Sequence, residues 1–401
     1  REARGPCRTA RASSGDGKAR GARGAAGRPG VPSAEAVEQL REVLAVLGKT
    51  PQGQGAALAA CVQGAAAEEL VRHPDREVRL WAAKCLAEGL RIFAPEPPLD
   101  ARQLRLALEL FLEQLSALAD PGAAAFVHAF GLLERLVEVC AFMLIFDCED
   151  HEALLARAVR VCLSAARTSE GGRLEGLLAQ VLTGMLGEAD TVPRPVLAEL
   201  LGELAPKRRG GFAAALVRQV LAGLASHSAV LSINEFVNAS LYEAAPGGDG
   251  MEGMETTSGK EATAALFCAV YELFEIDTAL VARVLPNLYI DLQSEDADRR
   301  RAVTLLVGRM LAHCPPRCPS ARPRAPLVST HPLLLDRHLD RLADAREDVR
   351  LAALEGAAAL LAAVAAAAPA PAPVAAGAAR AQVGGAAAAE SAALAGAGAA
   401  L

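Results

Sequence analysis

From residue 33 onward, apolar side chains recur three and four positions apart. Val37, Leu40, Val43, Leu44 and Leu47 form one stripe, and Leu104, Leu108, Phe111, Leu112, Leu115 and Leu118 form another. A period near 3.6 places each set on one side of an amphipathic helix. Start signals accompany the stripes. Thr50 and Asp120 each precede a proline, which suits the first helical position because its missing N–H is unpaired there anyway. Asp100 with Gln103, and Asp344 with Glu347, have the spacing of a capping box. Gly48, Gly187 and the proline run over 95–98 are the expected stops. The pattern predicts about fourteen or fifteen helices, roughly 10 to 20 residues each, over 33–366, and no strand.

Helices paired this regularly predict an all-α solenoid, and a repeated segment supports it. Pro74-Asp75-Arg76-Glu77-Val78-Arg79-Leu80-Trp81-Ala82-Ala83 places an aspartate in a turn, then valine-arginine, then small residues. Asp344-Ala345-Arg346-Glu347-Asp348-Val349-Arg350-Leu351-Ala352-Ala353 repeats it, and Ser294-Glu295-Asp296 leading to Arg300-Arg301-Ala302-Val303 is a weaker copy. In HEAT repeats the turn aspartate and the arginine pair between neighbouring units while valine and alanine enter the core. The alternative is that charged helix starts simply resemble one another.

Composition agrees with helices. Of 401 residues, 52% are apolar but 3% aromatic, with one tryptophan, Trp81. Such a chain lacks the side chains a β-sandwich or barrel favours. With 41 basic and 47 acidic residues, net −6, it has no bulk excess of positive charge for phosphates. Nine cysteines, unevenly spaced, read as a reducing compartment, cytosol or nucleus. The apolar run from Val139 to Phe146 and the alanine tract after Ala357 fall short of the roughly 18–20 residues of a membrane span or are broken by proline, so no membrane role is expected. Residues 1–32 read as a disordered, basic Gly/Arg-rich tail, 33–366 as the array, and 367–401 as a low-complexity Ala/Gly/Pro tail. Within the array, 245–260 and 314–332 read as flexible insertions.

Catalytic signatures are weak. Gly248-Asp249-Gly250-Met251-Glu252-Gly253 has the glycine spacing of a dinucleotide turn, but no strand precedes it and two acids occupy the pyrophosphate position. Gly259-Lys260 lacks the rest of a phosphate loop, and Leu155 stands where a zinc-protease helix beginning His151-Glu152 needs its second histidine. His313, Cys314, Cys318 and His331 are a poor zinc set, given the intervening prolines. The expectation is no enzyme, no metal and no cofactor. Two basic clusters, Lys207-Arg208-Arg209 and Arg299-Arg300-Arg301, are either phosphate-contacting patches, an import signal, or solvated turns.

One stretch carries a family likeness. His73-Pro74-Asp75-Arg76-Glu77-Val78-Arg79-Leu80, then Lys84-Cys85-Leu86-Ala87-Glu88, then Arg91-Ile92-Phe93-Ala94-Pro95-Glu96-Pro97-Pro98, resembles the N-terminal HEAT region of the Pds (precocious dissociation of sisters) family. Phe146-Asp147-Cys148-Glu149-Asp150, Leu204-Ala205-Pro206-Lys207 and Leu273-Phe274-Glu275-Ile276-Asp277 follow in the same order. The resemblance covers roughly 33–360 and implies a right-handed superhelix of antiparallel helix pairs. It also implies a nuclear, chromatin-bound scaffold that regulates sister chromatid cohesion by binding the cohesin complex (kleisin and SMC subunits), the cohesin-release factor and the cohesin acetyltransferase, with weak DNA contact at most. The docking segment for short peptides from those regulators would be Ile92, Phe93, Ala94, Pro95, Glu96, Pro97 and Pro98, with Glu96 meeting a peptide arginine and Ile92 and Phe93 giving apolar contact. Read without the family, these prolines merely terminate a helix. The family usually has alanine at the position of Pro97 and often an aromatic at that of Leu99. Much of its kleisin binding lies in repeats beyond the equivalent of Leu360, so kleisin binding stays open. The other reading is a general HEAT adaptor, such as a nuclear transport receptor or phosphatase scaffold. For the helix faces, the expectation is that Val78 and Trp81 are at least partly buried. Trp81→Ala should then cost about 3 kcal/mol or more in a denaturant titration, as core truncations do.

Overall fold

Most long helices pack both against a neighbour in sequence and against a helix two places away, while the first, Ser33–Leu47, packs on Arg76–Phe93. The computed structural model describes residues 33–169, 171–208, 210–243, 257–313 and 327–367. Its α-helices are α1 (Ser33–Leu47), α2 (Ala59–Ala65), α3 (Glu68–Val71), α4 (Arg76–Phe93), α5 (Ala101–Leu115), α6 (Ala125–Glu138), α7 (His151–Thr168), α8 (Arg173–Glu188) and α9 (Arg194–Glu203). They continue through α10 (Phe212–Leu224), α11 (Ala229–Glu243), α12 (Thr257–Ile276), α13 (Leu285–Asp291), α14 (Ala297–Ala312), α15 (Leu327–Thr330), α16 (Pro332–Asp340) and α17 (Glu347–Ala367). No strand occurs among the described residues. One layer stacks α1, α4, α6, α8, α10, α12, α14 and α17 in that order; the other stacks α3, α5, α7, α9 and α11. Pairs such as α4 with α5, α7 with α8 and α9 with α10 join the layers. This is the two-layer HEAT-type solenoid, in which no helix could bury its apolar face alone.

The core lies between the layers. Val37, Leu40 and Leu47 of the first stripe, and Leu104, Leu108, Phe111, Leu112, Leu115 and Leu118 of the second, are buried there. Small residues let helices approach closely where α17 crosses α14. A Cβ on Gly356 would lie 2.8 Å from the Gly308 Cα and 2.6 Å from Nε2 of His338, whose ring is buried in the same crossing.

The repeated segment builds the same device three times. Arg79 donates to the carbonyls of His73 and Pro74, Arg300 to those of Ser294 and Glu295 (2.7 and 2.9 Å), and Arg350 to those of Asp344 and Ala345 (2.8 and 3.1 Å). Two of these arginines also reach the following unit. Arg79 Nε meets Glu113 at 2.9 Å, and Arg300 grips Asp344 with two nitrogens at 3.0 and 3.1 Å. The inter-unit pairing is therefore real, but its acceptor is a different residue from the helix cap. Asp75 and Asp296 cap α4 and α14. Asp344 sits two positions earlier in the motif, where His73 and Ser294 sit. All three side chains accept an N–H from the residue two further on. The expected box of Asp344 with Glu347 is thus replaced by an ion pair, whereas Asp100 and Gln103 do form theirs.

Other local expectations change. Pro51 and Pro121 lie in turns, since a glycine follows each within two residues. Gly53 takes φ +78°, and the Asp120 carboxylate accepts the Gly122 N–H at 3.1 Å. Gly187 lies inside α8, where its missing Cβ makes room for the His227 ring 2.8 Å away. The proline run does end α4, and α1 stops before Gly48. Residues 257–260 and 327–330, assigned to insertions, are helical, the second anchored by buried Leu327. The count exceeds about fifteen because α2, α3, α13 and α15 are short segments that no long stripe marks. One helix, 347–366, is long and apolar enough to cross a membrane, contrary to the expectation from the alanine tract alone, because it begins upstream of that tract. It packs on α14 through Val349, Ala352 and Ala353, all buried. Cys85 and Cys162 are inert in character, their thiols pushed up to about 12 by burial.

Three outcomes follow from these contacts. Gly356→Ala should destabilise by about 1–3 kcal/mol through overpacking, whereas Gly131→Ala, in α6 with open space around its Cβ, should be neutral or stabilising by up to about 1 kcal/mol in the same thermal melts. The hydrogen bond from Arg300 holds the Asp344 carboxyl below its ordinary value, against the opposing effect of burial. Its stabilisation is complete above about pH 3.9 and is lost as pH falls through the lower folded value. Asp344→Asn should therefore cost about 2–4 kcal/mol at pH 7, a difference that shrinks below pH 4 in urea titrations. Trp81 is half-buried between the side chains of Arg41 and Lys84, with centroid distances of 4.8 and 4.6 Å. Trp81→Ala should accordingly cost about 1–2 kcal/mol in denaturant titrations, less than a full core truncation.

Candidate peptide-docking turn

The link between α4 and α5 is braced from both ends. In the last turn of α4, Arg91 donates to the Leu47 carbonyl at the end of α1 at 3.1 Å, alongside the Thr50 N–H, and to the Thr50 carbonyl in the loop that follows at 2.9 Å. Glu88, nearly buried, holds Arg91 at 2.7 Å and Arg135 of α6 at 2.8 Å. The loop after α1 then lies against the end of α4. Gly53 donates to the Ile92 carbonyl at 2.9 Å, and Gln52 Nε2 to the Ala94 carbonyl at 3.4 Å. Gly55 has no room for a side chain, because a Cβ there would meet Ile92 at 2.3 Å and the Phe93 ring at 3.0 Å. On the far side, the Asp100 and Gln103 box starts α5.

Between these anchors the chain turns outward. The Ala94-Pro95 peptide is cis, and the Leu99 N–H donates to the Pro97 carbonyl at 2.8 Å. Pro95 and Glu96 are exposed, whereas Phe93, Ala94, Pro97 and Pro98 are half-buried. Among the described residues Glu96 makes no ion pair, so its carboxylate is presented to solvent. Ile92 corrects the expected set: it is fully buried beneath Gly55 and supports the turn rather than offering an apolar contact. Of the two side chains expected to give apolar contact, Phe93 alone is partly exposed.

The basic clusters come out differently. Arg299 is buried, gripping Asp291 at 2.8 and 2.9 Å and the Leu241 carbonyl at 3.1 Å. Arg300 is occupied by its carbonyl clamp and Asp344. Both are structural, so that cluster offers only Arg301 to a phosphate. At the turn after α9, Lys207 and Arg208 are exposed, and Arg208 pairs at 2.7 Å with buried Glu203, which also holds Arg167. Arg209 lies outside the described residues, as do Cys314, Cys318 and the glycine-rich stretch at 248–253. His313 packs edge-on against Phe274 and lies 3.8 Å from Glu275. No group of three metal-ligating side chains occurs among the described residues. The brace residues Gln52, Gly53 and Gly55 escaped the sequence reading, and Glu88 and Arg91 entered it only within the family likeness, although two glycines flanking one residue before a helix were a signal of close approach.

A sequence model described as sister chromatid cohesion protein PDS5 matches residues 34–370. The chain is similar to PDS5 homolog B of Gallus gallus and of Homo sapiens, 27% identical over 252 residues in each case. Those matches cover 61% of this chain and 17% and 16% of those proteins. PDS5 homolog A of Gallus gallus is 28% identical over 247 residues, 61% of this chain and 18% of that one. The chain therefore spans less than a fifth of the length of these curated relatives. A solved structure titled "Structure of the Pds5-Scc1 complex and implications for cohesin function" superposes with TM-score 0.67 at 20% identity, over 83% of this chain and 49% of that one, a likeness of fold. Because the family match runs from the first described helix through the last, the chain belongs to the sister chromatid cohesion protein PDS5 family.

Proposed function

We propose that this chain is a nuclear, cohesin-associated scaffold that regulates sister chromatid cohesion by binding rather than by catalysis. The family match over 34–370 carries the reading. The relatives it resembles are named for sister chromatid cohesion, and the structure of similar fold is titled a Pds5-Scc1 complex. On that basis cohesin is the partner, with the kleisin subunit the first contact to test and the SMC subunits and chromatin further ones. The release factor and the acetyltransferase are the proposed sources of short peptides for the turn at 93–98. There Glu96 would pair with an arginine, and Phe93 and the prolines would supply a rigid apolar surface. Lys207, Arg208, Arg209 and Arg301 are what remains for a weak phosphate contact.

A pull-down with a release-factor peptide compares wild type with Glu96→Lys combined with Pro98→Ala. Reversing the exposed carboxylate should weaken capture at least about tenfold, equivalent to ~1.4 kcal/mol, with unchanged helical circular dichroism. Equal retention would remove the turn as the docking site. Co-purification with a phosphatase or an import cargo and without cohesin subunits would favour the general adaptor instead.

A further inference from the structure

A groove of about 590 Å³ lies beside the first half of α4, at the opposite end of that helix from the turn. Arg41, Arg76, Glu77, Trp81, Glu113 and His128 line it, over a floor of small residues including Ala117, Ala125 and Ala129. Its two carboxylates are already engaged. Glu77 accepts from Arg41 at 2.9 Å and from the Trp81 indole at 3.3 Å, and Glu113 pairs with Arg79 at 2.9 Å. Of its cations, Arg41 is held by Glu77, but Arg76 is not matched. Arg76 is exposed, with no carboxylate partner among the described residues. Lys84 borders the groove rather than lining it: it is half-buried over the Trp81 ring, lies 3.5 Å from His128 Nδ1, and also lacks a carboxylate partner among the described residues. Burial, and secondarily the charge of Arg41, push the Lys84 ammonium below its ordinary value. An anion placed there would relieve both effects.

We infer that this groove binds an acidic, extended peptide segment of a partner protein, with carboxylates on Lys84 and Arg76 and an apolar side chain such as leucine between them on the alanine floor. The spacing sets the register. Eight residues along α4 separate the two backbone positions by about 12 Å of helix rise, a length that an extended chain at roughly 3.3 Å per residue crosses in about four residues. Glu77 and Glu113 select against a nucleic acid, because they would face its continuous phosphate charge, whereas they can accept the amide N–H groups of a peptide. The site is independent of the turn at 93–98 and draws on different side chains of the same helix.

Trp81 is the single tryptophan of the chain, so its fluorescence reports on this groove alone. The probe is acetyl-Glu-Ala-Leu-Ala-Glu-amide, titrated into the full chain at low salt. A saturable change in Trp81 emission is expected. Lys84→Gln should weaken it at least tenfold and Lys84→Arg should restore it, while Glu96→Lys leaves it unaltered and the Gln-for-Glu peptide gives no response. Arg76→Gln, at an exposed position, should also weaken binding several-fold and keeps the test valid should Lys84→Gln fail to match wild-type circular dichroism. No saturable change at millimolar peptide, equal binding of the neutral peptide, or an unchanged affinity in Lys84→Gln and Arg76→Gln would overturn the proposal. So would a thymidine oligonucleotide that alters the emission where the peptide does not.

Discussion

The architecture depends on what its arginines do at the helix starts. A helix leaves its first N–H groups unpaired, and the turn before it carries carbonyls that the solenoid half buries. At residues 79, 300 and 350 one guanidinium gathers two of those carbonyls, five and six positions back, and turns the chain into the next helix at a fixed angle. The same side chain at 79 and 300 has nitrogens left to hold a carboxylate on the following unit. Local geometry and the step between units are therefore set by a single group, which explains why the motif recurs as a block. Once the step is set, aliphatic side chains fill the space between layers, and glycine or alanine stands where helices cross closest.

This use of charge also explains the composition. A chain nearly balanced in acids and bases offers little bulk attraction to any polyanion. Much of its arginine is committed to buried or nearly buried carboxylates: Arg299 to Asp291, Arg167 and Arg208 to Glu203, Arg91 and Arg135 to Glu88. What remains outside is sparse and local. Recognition on such a surface would rest on individual pairs set beside apolar ground, as in the proposals for the turn at 93–98 and the Trp81 groove.

The periodic part of the fold was legible because a stripe such as Val37 to Leu47 or Leu104 to Leu118 can only be one side of a helix. Capping was legible where the box is self-contained, as at Asp100 and Gln103. It failed at Asp344, because the acceptor there answers to Arg300, far off in sequence, and no local spacing encodes that. Pro51 and Pro121 misled for the reverse reason, since the glycines after them favour a turn more strongly than proline favours a helix start. The basic run at 299–301 looked like surface because adjacent residues of a helix point in different directions, and two of the three directions here lead to carboxylates. Ile92 was expected at the surface with its neighbours in the motif, although its place on the α4 stripe with Val78 and Cys85, fourteen and seven residues earlier, puts it inside.

The brace around the end of α4 has a consequence for how the turn can be recognised. Its shape is held by the loop after α1 through Gly53 and Gly55, by Arg91 on the Leu47 carbonyl, and by the Asp100 cap. A docking site at this turn, as proposed above, would be conformational although its residues are contiguous. A synthetic strand carrying 92–98 alone would have the right letters and none of the scaffolding, and would be a poor mimic or competitor for the folded chain.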